Sequence, residues 1–291
     1  MNKNICWITL NNSCNLRCSW CYARDNGYTN VIMNQKLLMD IIDFCSDGGV
    51  KKVVLLGGEP TLYPYLDTAI SYCKSKNINT EITTNGLLLA DEPYLRKLKN
   101  CGLNSVMLSM KGYDFESYAN TTGFEGYNQA ILAIDNLVKT NTKFGVSCVL
   151  TVDFIDDIEN LMDDLYSHKV PLIVFSLAKD YGVTEEAVLF REVNNPYKII
   201  PLFYEKYIEN KLLFDKSKWI LELCTPIVLE NKEINEFLNK YCHYSCKKNN
   251  DGGIIFDPYG NLLVCNTMPN VKLGKYGVDF LSYEEYVRYI K

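Results

Sequence analysis

Three cysteines stand close together near the start of the chain, in Cys14-Asn15-Leu16-Arg17-Cys18-Ser19-Trp20-Cys21. Their spacing is C-x3-C-x2-C, and they follow an apolar run over 5–10 that reads as a strand. On the loop after such a strand, three thiolates can turn onto one centre. Zinc sites and most electron-transfer clusters take four protein ligands. A set of three leaves one iron of a four-iron cluster open for a substrate or cosubstrate. A partial zinc site, or three buried thiols, is the plainer reading of the same residues. Three further stretches carry usable chemistry. In Gly57-Gly58-Glu59-Pro60, two glycines let the main chain approach a ligand and a carboxylate can pair with a cation; otherwise this is a turn with a solvated glutamate. Thr84-Asn85-Gly86 offers polar side chains or a plain Asn-Gly turn. Ser109-Met110-Lys111-Gly112 offers a hydroxyl and a cation, or a surface lysine.

These stretches share a setting. Apolar patterning predicts strands over 5–10, 52–56, 79–83, 105–108, 143–150 and 172–176. It predicts helices over 33–46, 65–76, 93–100, 126–140 and 155–167, with Asn34 capping the first and Gly102 ending the third. Strand and helix alternating in this way imply right-handed β–α units on a parallel sheet. In a curved barrel of that kind, ligands gather at the C-terminal ends of the strands. All four chemistry-bearing stretches begin just after a strand. Ser147 or Cys148, and Phe175 or Ser176, are candidates for the pocket wall, because only one face of each strand can reach it. Cys6, Cys45, Cys73 and Cys101 lie in apolar or helical settings and read as core.

The octapeptide resembles the signature of the radical S-adenosylmethionine (SAM) enzymes, C-x3-C-x-aromatic-C, with Trp20 as the aromatic. The resemblance implies an α/β fold, a partial (β/α)6 TIM barrel, in which Cys14, Cys18 and Cys21 hold a 4Fe–4S cluster. SAM chelates the open iron, and one electron cleaves it to methionine and a 5′-deoxyadenosyl radical, which takes a hydrogen atom from the substrate. The cofactor supplies that chemistry while the protein orients and shields it. By the same resemblance Gly57, Gly58 and Glu59 receive the SAM ammonium, with both backbone and carboxylate. Thr84 and Asn85 help hold the ribose, and Ser109 contacts the ribose or the methionine carboxylate. Lys111 stands where many relatives read S-x-D-G and adds charge near a carboxylate. Trp20 and Tyr22 lie near adenine.

From 178 onward the alternation stops. A helix is expected over 197–210, then Cys224, Cys242, Cys246 and Cys265. Strands over 253–256 and 262–265 flank the turn Asp257-Pro258-Tyr259-Gly260 and form a hairpin that carries Cys265. A last helix over 283–290 reads as a docking element. Four cysteines in so short a tail make a complete ligand set, and His243 is then not needed. The tail resembles the Twitch domain of radical SAM enzymes, a shortened SPASM domain. That implies one auxiliary 4Fe–4S cluster on Cys224, Cys242, Cys246 and Cys265. A full SPASM domain carries more cysteines and two clusters. A zinc site on the same four residues stays open, as does a hydrogen-donor role for one of them. The expected organisation is a barrel over 1–180, a helical linker over 181–214 and a small α+β cluster domain over 215–291.

Bulk composition agrees. Hydrophobic residues are 47% of the 291, enough for a real core. The net charge of −5, with no basic block, gives no sign of nucleic-acid binding. Twelve cysteines and no signal-peptide pattern argue for metal ligation in a reducing cytoplasm rather than disulfides. No apolar run is long enough for a bilayer. The expected reaction is modification of a ribosomally made precursor peptide, by cross-link, thioether or epimerisation, because the resemblance to Twitch and SPASM enzymes points to peptide maturases. An auxiliary cluster suits a net oxidation. The chain starts at its first strand, so a peptide is expected to need a separate leader-binding protein or to bind in the barrel mouth. A flavodoxin or ferredoxin is the expected reductant. The alternatives are oxidation or rearrangement of a small molecule and, further off, a non-catalytic iron–sulfur or zinc protein; an open iron argues against that last reading.

Overall fold

The computed structural model describes residues 4–21, 29–178, 190, 192–224, 226–244, 253–265 and 270–290. Six strands and their helices alternate as expected: β1 (Ile5–Thr9), α1 (Gln35–Asp47), β2 (Lys52–Leu56), α2 (Leu66–Ser75), β3 (Asn79–Thr84), α3 (Glu92–Cys101), β4 (Leu103–Met110), α4 (Phe115–Thr122), α5 (Tyr127–Lys139), β5 (Lys143–Leu150), α6 (Val152–Asp156), α7 (Ile158–Ser167) and β6 (Ile173–Leu177). Each strand pairs in parallel with the next. This is the α/β parallel sheet of a partial TIM barrel. Local signals set the boundaries. The Asn34 side chain accepts from the backbone N–H groups of Lys36 and Leu37, capping α1. Gly102 ends α3 at φ 114°, a left-handed conformation that glycine adopts without strain.

Two departures within the barrel concern helices. The single helix expected over 155–167 is two, because Asp157 leaves helical geometry (φ −120°, ψ 32°) while Thr151 caps a new first turn. Helix α4 was not expected at all. Its sequence, FESYANTT, is rich in residues that compete for the backbone, yet Asp114 and Ser117 form a reciprocal capping box that starts it.

The tail joins the same sheet. Strands β7 (Trp219–Leu223) and β8 (Cys242–Tyr244) continue it in parallel beyond β6. Strand β9 (Ile254–Phe256) pairs in parallel with β1 at the opposite edge. Antiparallel β10 (Asn261–Leu263) and β11 (Lys272–Lys275) follow it. Among the described residues the order is therefore β11-β10-β9-β1-β2-β3-β4-β5-β6-β7-β8. The expected hairpin is present. The Asp257 carboxylate accepts from the backbone of Tyr259 (2.9 Å) and Asn261 (2.8 Å) and from Asn261 Nδ2 (2.6 Å), and Gly260 turns at φ 78°.

Aromatic clusters hold both additions. Phe203, Phe214, Trp219 and Phe237 pack against Phe175 of β6 or one another, bringing helices Pro196–Glu209 and Lys232–Tyr241 onto β6–β7. At the other edge Phe44 of α1 meets Phe256, Phe280 and Tyr286, which docks the last helix, Tyr283–Tyr289. Cys6, Cys45 and Cys73 are core, as expected, with no exposure; Cys101 is only partly buried, because it ends α3.

Candidate active site

The C-terminal ends of β1–β7 surround one cleft of about 300 Å³. Its lining includes Cys14, Cys18, Trp20, Cys21, Gly57, Gly58, Glu59, Thr84, Asn85, Ser109 and Lys111. Four stretches separated by up to ninety residues thus meet in one place. Tyr22 lies outside the described residues.

The cysteine loop is pinned from several sides. Arg17 Nη1 donates to the carbonyls of Cys14 (2.7 Å) and Leu16 (2.8 Å), and Leu16 is buried. Asn85 Nδ2 donates to Asn15 Oδ1 (2.8 Å). The backbone N–H groups of Arg17 and Ser19 donate to the carbonyls of Thr122 and Thr121, at the end of α4. Burial pushes the Cys14 thiol up to about 11, against an opposing backbone N–H from Leu16; Cys18 and Cys21 add to the rise. Burial also raises Cys18, and the Lys111 ammonium opposes it. A shared cation would hold such thiols as thiolates, and three sulfur donors on one cleft wall fit an iron–sulfur cluster.

The Gly57-Gly58-Glu59 loop is shaped first by its neighbour. A Cβ on Gly57 would stand 2.1 Å from Asn11 Oδ1, and one on Gly58 would stand 2.3 Å from the Ser13 carbonyl. The glycines let this loop lie against the strand that leads into the cysteines. Gly58 N–H donates to the Asn11 carbonyl and Glu59 N–H to the Ser13 carbonyl. Asn11, which the sequence reading passed over, donates from Nδ2 to the Glu59 carbonyl (2.9 Å). Glu59 is 1% exposed. Its carboxylate accepts from Thr61 N–H (3.0 Å), Thr61 Oγ1 (2.6 Å), Thr84 Oγ1 (2.6 Å) and Asn85 N–H (2.8 Å). Four donors compensate a buried charge whose desolvation alone costs several kcal/mol. The carboxylate is therefore a strut between the β2 and β3 loops; three of these bonds reach Oε1 and one reaches Oε2, so Oε2 can still accept from a ligand in the cleft that Glu59 lines.

Thr84 and Asn85 are likewise partly committed. Asn85 Oδ1 accepts from Leu87 N–H (3.0 Å), and Gly86 turns at φ 82°. Lys111 is not a surface residue. It is 8% exposed, with Nζ 2.5 Å from Ser109 Oγ and 4.4 Å from the centre of the Trp20 ring. Strand alternation settles the other wall. Ser147, Val149, Val174 and Ser176 line the cleft, while Cys148 and Phe175 are fully buried on the helix side. Glu222, Leu223 and Cys224 of the β7 end also line it; the sequence reading missed β7 because its five residues stand outside the earlier alternation.

The tail cysteines are distributed differently. Cys224 faces the cleft after β7, and Cys242 begins β8 beside Leu221. Cys265 is buried after β10, on the opposite flank of the strand order. Cys246 lies outside the described residues. Among those described, no three His, Cys, Asp or Glu side chains form a ready metal site in either half.

A partial barrel of parallel strands, with three thiols and a Gly-Gly-Glu loop at one set of strand ends, defines a cofactor-dependent barrel enzyme. The chain belongs to the radical SAM superfamily, whose model matches residues 8–165, more than half of it. The superfamily's cofactors are a 4Fe–4S cluster and SAM. Among curated proteins the chain is 29% identical to the GTP 3′,8-cyclase of Clostridium perfringens, over 62% of this chain and 59% of that one. It is 30% identical to the Fe-coproporphyrin III synthase of Methanosarcina barkeri, over 56% and 41%. The chain thus spans about three fifths or less of these relatives. Among solved structures, Streptococcus suis SuiB bound to its precursor peptide SuiA matches with a TM-score of 0.72 at 19% identity, covering 96% of this chain and 64% of SuiB. Native anSMEcpe with bound AdoMet matches at 0.68 and 17% identity, covering 93% and 77%. No helix among the described residues is long and apolar enough to cross a membrane.

Proposed function

We propose that this chain is a radical SAM enzyme that cleaves SAM reductively and takes a hydrogen atom from a peptide substrate. The observation that carries the first half is the meeting of Cys14, Cys18 and Cys21 with the Gly57–Glu59 loop in one cleft. When bound there, the cluster and SAM supply a 5′-deoxyadenosyl radical. The chain's own residues bind and orient. The three thiolates hold iron, the Gly57-Gly58 main chain lies open to an ammonium, and Trp20 offers a face to adenine. Ser109 and Lys111 give a hydroxyl and a cation to a carboxylate. The opposite wall, with Ser147, Ser176 and Glu222, is left for the substrate.

A peptide is favoured because the fold likeness to SuiB, solved with a precursor peptide, runs through the tail as well as the barrel. anSMEcpe has also been solved with a peptide bound. A small-molecule substrate is the second reading, favoured by the greater sequence identity to the GTP 3′,8-cyclases. Cys224, Cys242, Cys246 and Cys265 are proposed to hold an auxiliary cluster, in a tail that works as a Twitch-like unit. A flavodoxin or ferredoxin is the proposed electron donor, and a separate leader-binding protein a proposed partner. The test is anaerobic incubation of the reduced, iron-loaded protein with SAM. Formation of 5′-deoxyadenosine is expected, and its absence sinks the enzyme reading. Mass spectrometry of short peptides encoded beside the gene then decides the substrate: a mass change supports the peptide, and turnover only with nucleotide or tetrapyrrole substrates overturns it.

A further inference from the structure

Helix α4 carries a group that the proposed reaction has not used. Tyr118 is fully buried, and its hydroxyl has no hydrogen-bond partner among the described residues. A buried hydroxyl left alone is uncommon and points to something that satisfies it in the working molecule. Its location is specific. One turn further along, the carbonyls of Thr121 and Thr122 accept from the backbone of Ser19 (3.0 Å) and Arg17 (2.9 Å), the two residues that flank Cys18. Residues 118 and 122 share a helix face. The residue is held in place: a Cβ on Gly112 would stand 2.3 Å from its backbone nitrogen, a Cβ on Gly126 would stand 3.0 Å from its ring, and Tyr127 packs edge-on at 6.3 Å.

The ionisable groups that act on this phenol are Cys18, Glu59 and Cys14, in that order. Burial and these neighbours hold its pKa above the ordinary tyrosine range, so it stays protonated and remains a donor. The Glu59 carboxylate already has its four donors and takes none from Tyr118. The Cys18 and Cys14 sulfurs are acceptors in that neighbourhood.

We infer that the Tyr118 hydroxyl donates a hydrogen bond to the sulfur of the cluster held by Cys14, Cys18 and Cys21, on the Cys18 side, and so helps set how readily that cluster is reduced. Tyr118 is in this sense a positioning and tuning residue rather than a catalytic one. Hydrogen bonds to cluster sulfurs stabilise the added electron and raise the reduction potential. The inference rests on the proposed cluster ligation.

The experiment compares the iron-loaded wild type with Tyr118→Phe, without SAM, in a redox titration followed by electron paramagnetic resonance. The variant is expected to be harder to reduce by about tenfold in the equilibrium, or ~59 mV for one electron. If it holds less iron, the potential of its loaded fraction still decides. The second measurement is on the metal-free proteins. Removing a hydroxyl with no partner among the described residues should leave the melting temperature unchanged or higher. An unmoved potential, or a metal-free variant that melts earlier, overturns the inference. A wild type that binds no iron instead overturns the cluster assignment, so the two failures are told apart.

Discussion

The two cysteine sets differ in how the chain brings them together. Cys14, Cys18 and Cys21 lie on one loop; Arg17 and Asn85 side chains donate to it, and its backbone N–H groups donate to the carbonyls of Thr121 and Thr122 at the end of α4. Cys224, Cys242 and Cys265 sit at strand ends on both flanks of the sheet. The first set is a local device that tertiary structure only steadies. The cluster proposed for the second would have to be assembled by the whole fold, and would depend on how the two flanks approach.

The largest expected effect isolates the first set. Cys18→Ala should reduce 5′-deoxyadenosine formation to background and remove about four iron atoms per chain. Retained SAM cleavage in that variant would place the chemistry elsewhere. Next, Cys242→Ala should leave SAM cleavage in place, lose a second group of about four irons, and stop product formation. Full turnover by this variant, or an unchanged iron content, would mean that the tail holds no redox centre. Glu59→Gln should weaken the first site alone. An amide in place of the carboxylate sets a donor against one of four donors, at a cost of about 1–3 kcal/mol. Thermal melting should fall by several degrees and the KM for SAM should rise, with tail iron untouched; a variant that melts like wild type would show that Glu59 is not the strut.

The smallest effect concerns pH. Burial holds the Cys14 thiol at about 11 and raises Cys18 as well, so these two thiols are protonated near neutrality when no metal is bound. Iron has to displace those protons. Loading of the first cluster should therefore quicken as the pH rises from about 7 to about 9. Stopped-flow absorbance in the Cys242→Ala background would measure it, and a pH-independent rate would place the limiting step elsewhere.

Much of the barrel was legible because each β–α unit carries its own signal. The continuous run at Lys52–Leu56, the cap at Asn34 and the glycine at 102 fix their elements without help from distant residues. The site was legible for the same reason: its residues follow strands directly. What escaped was set by tertiary contact. Strand β8 has three residues and takes its conformation from β7. Helix α4 looks like a loop until Asp114 and Ser117 cap each other. The burial of Lys111 and the occupied carboxylate of Glu59 depend on partners such as Trp20, Thr61 and Thr84, which no spacing rule pairs with them.

The parallel pairing of β9 with β1 sets a timetable for synthesis. Strand β1 leaves the ribosome well before β9, so its outer row of backbone donors and acceptors waits for residues 254–256. Until then the nascent barrel carries an open rim, the kind of template on which chains misassociate. A ribosome stalled late, or a stop codon shortly before β9, should release a chain with most of its barrel formed and a marked tendency to aggregate.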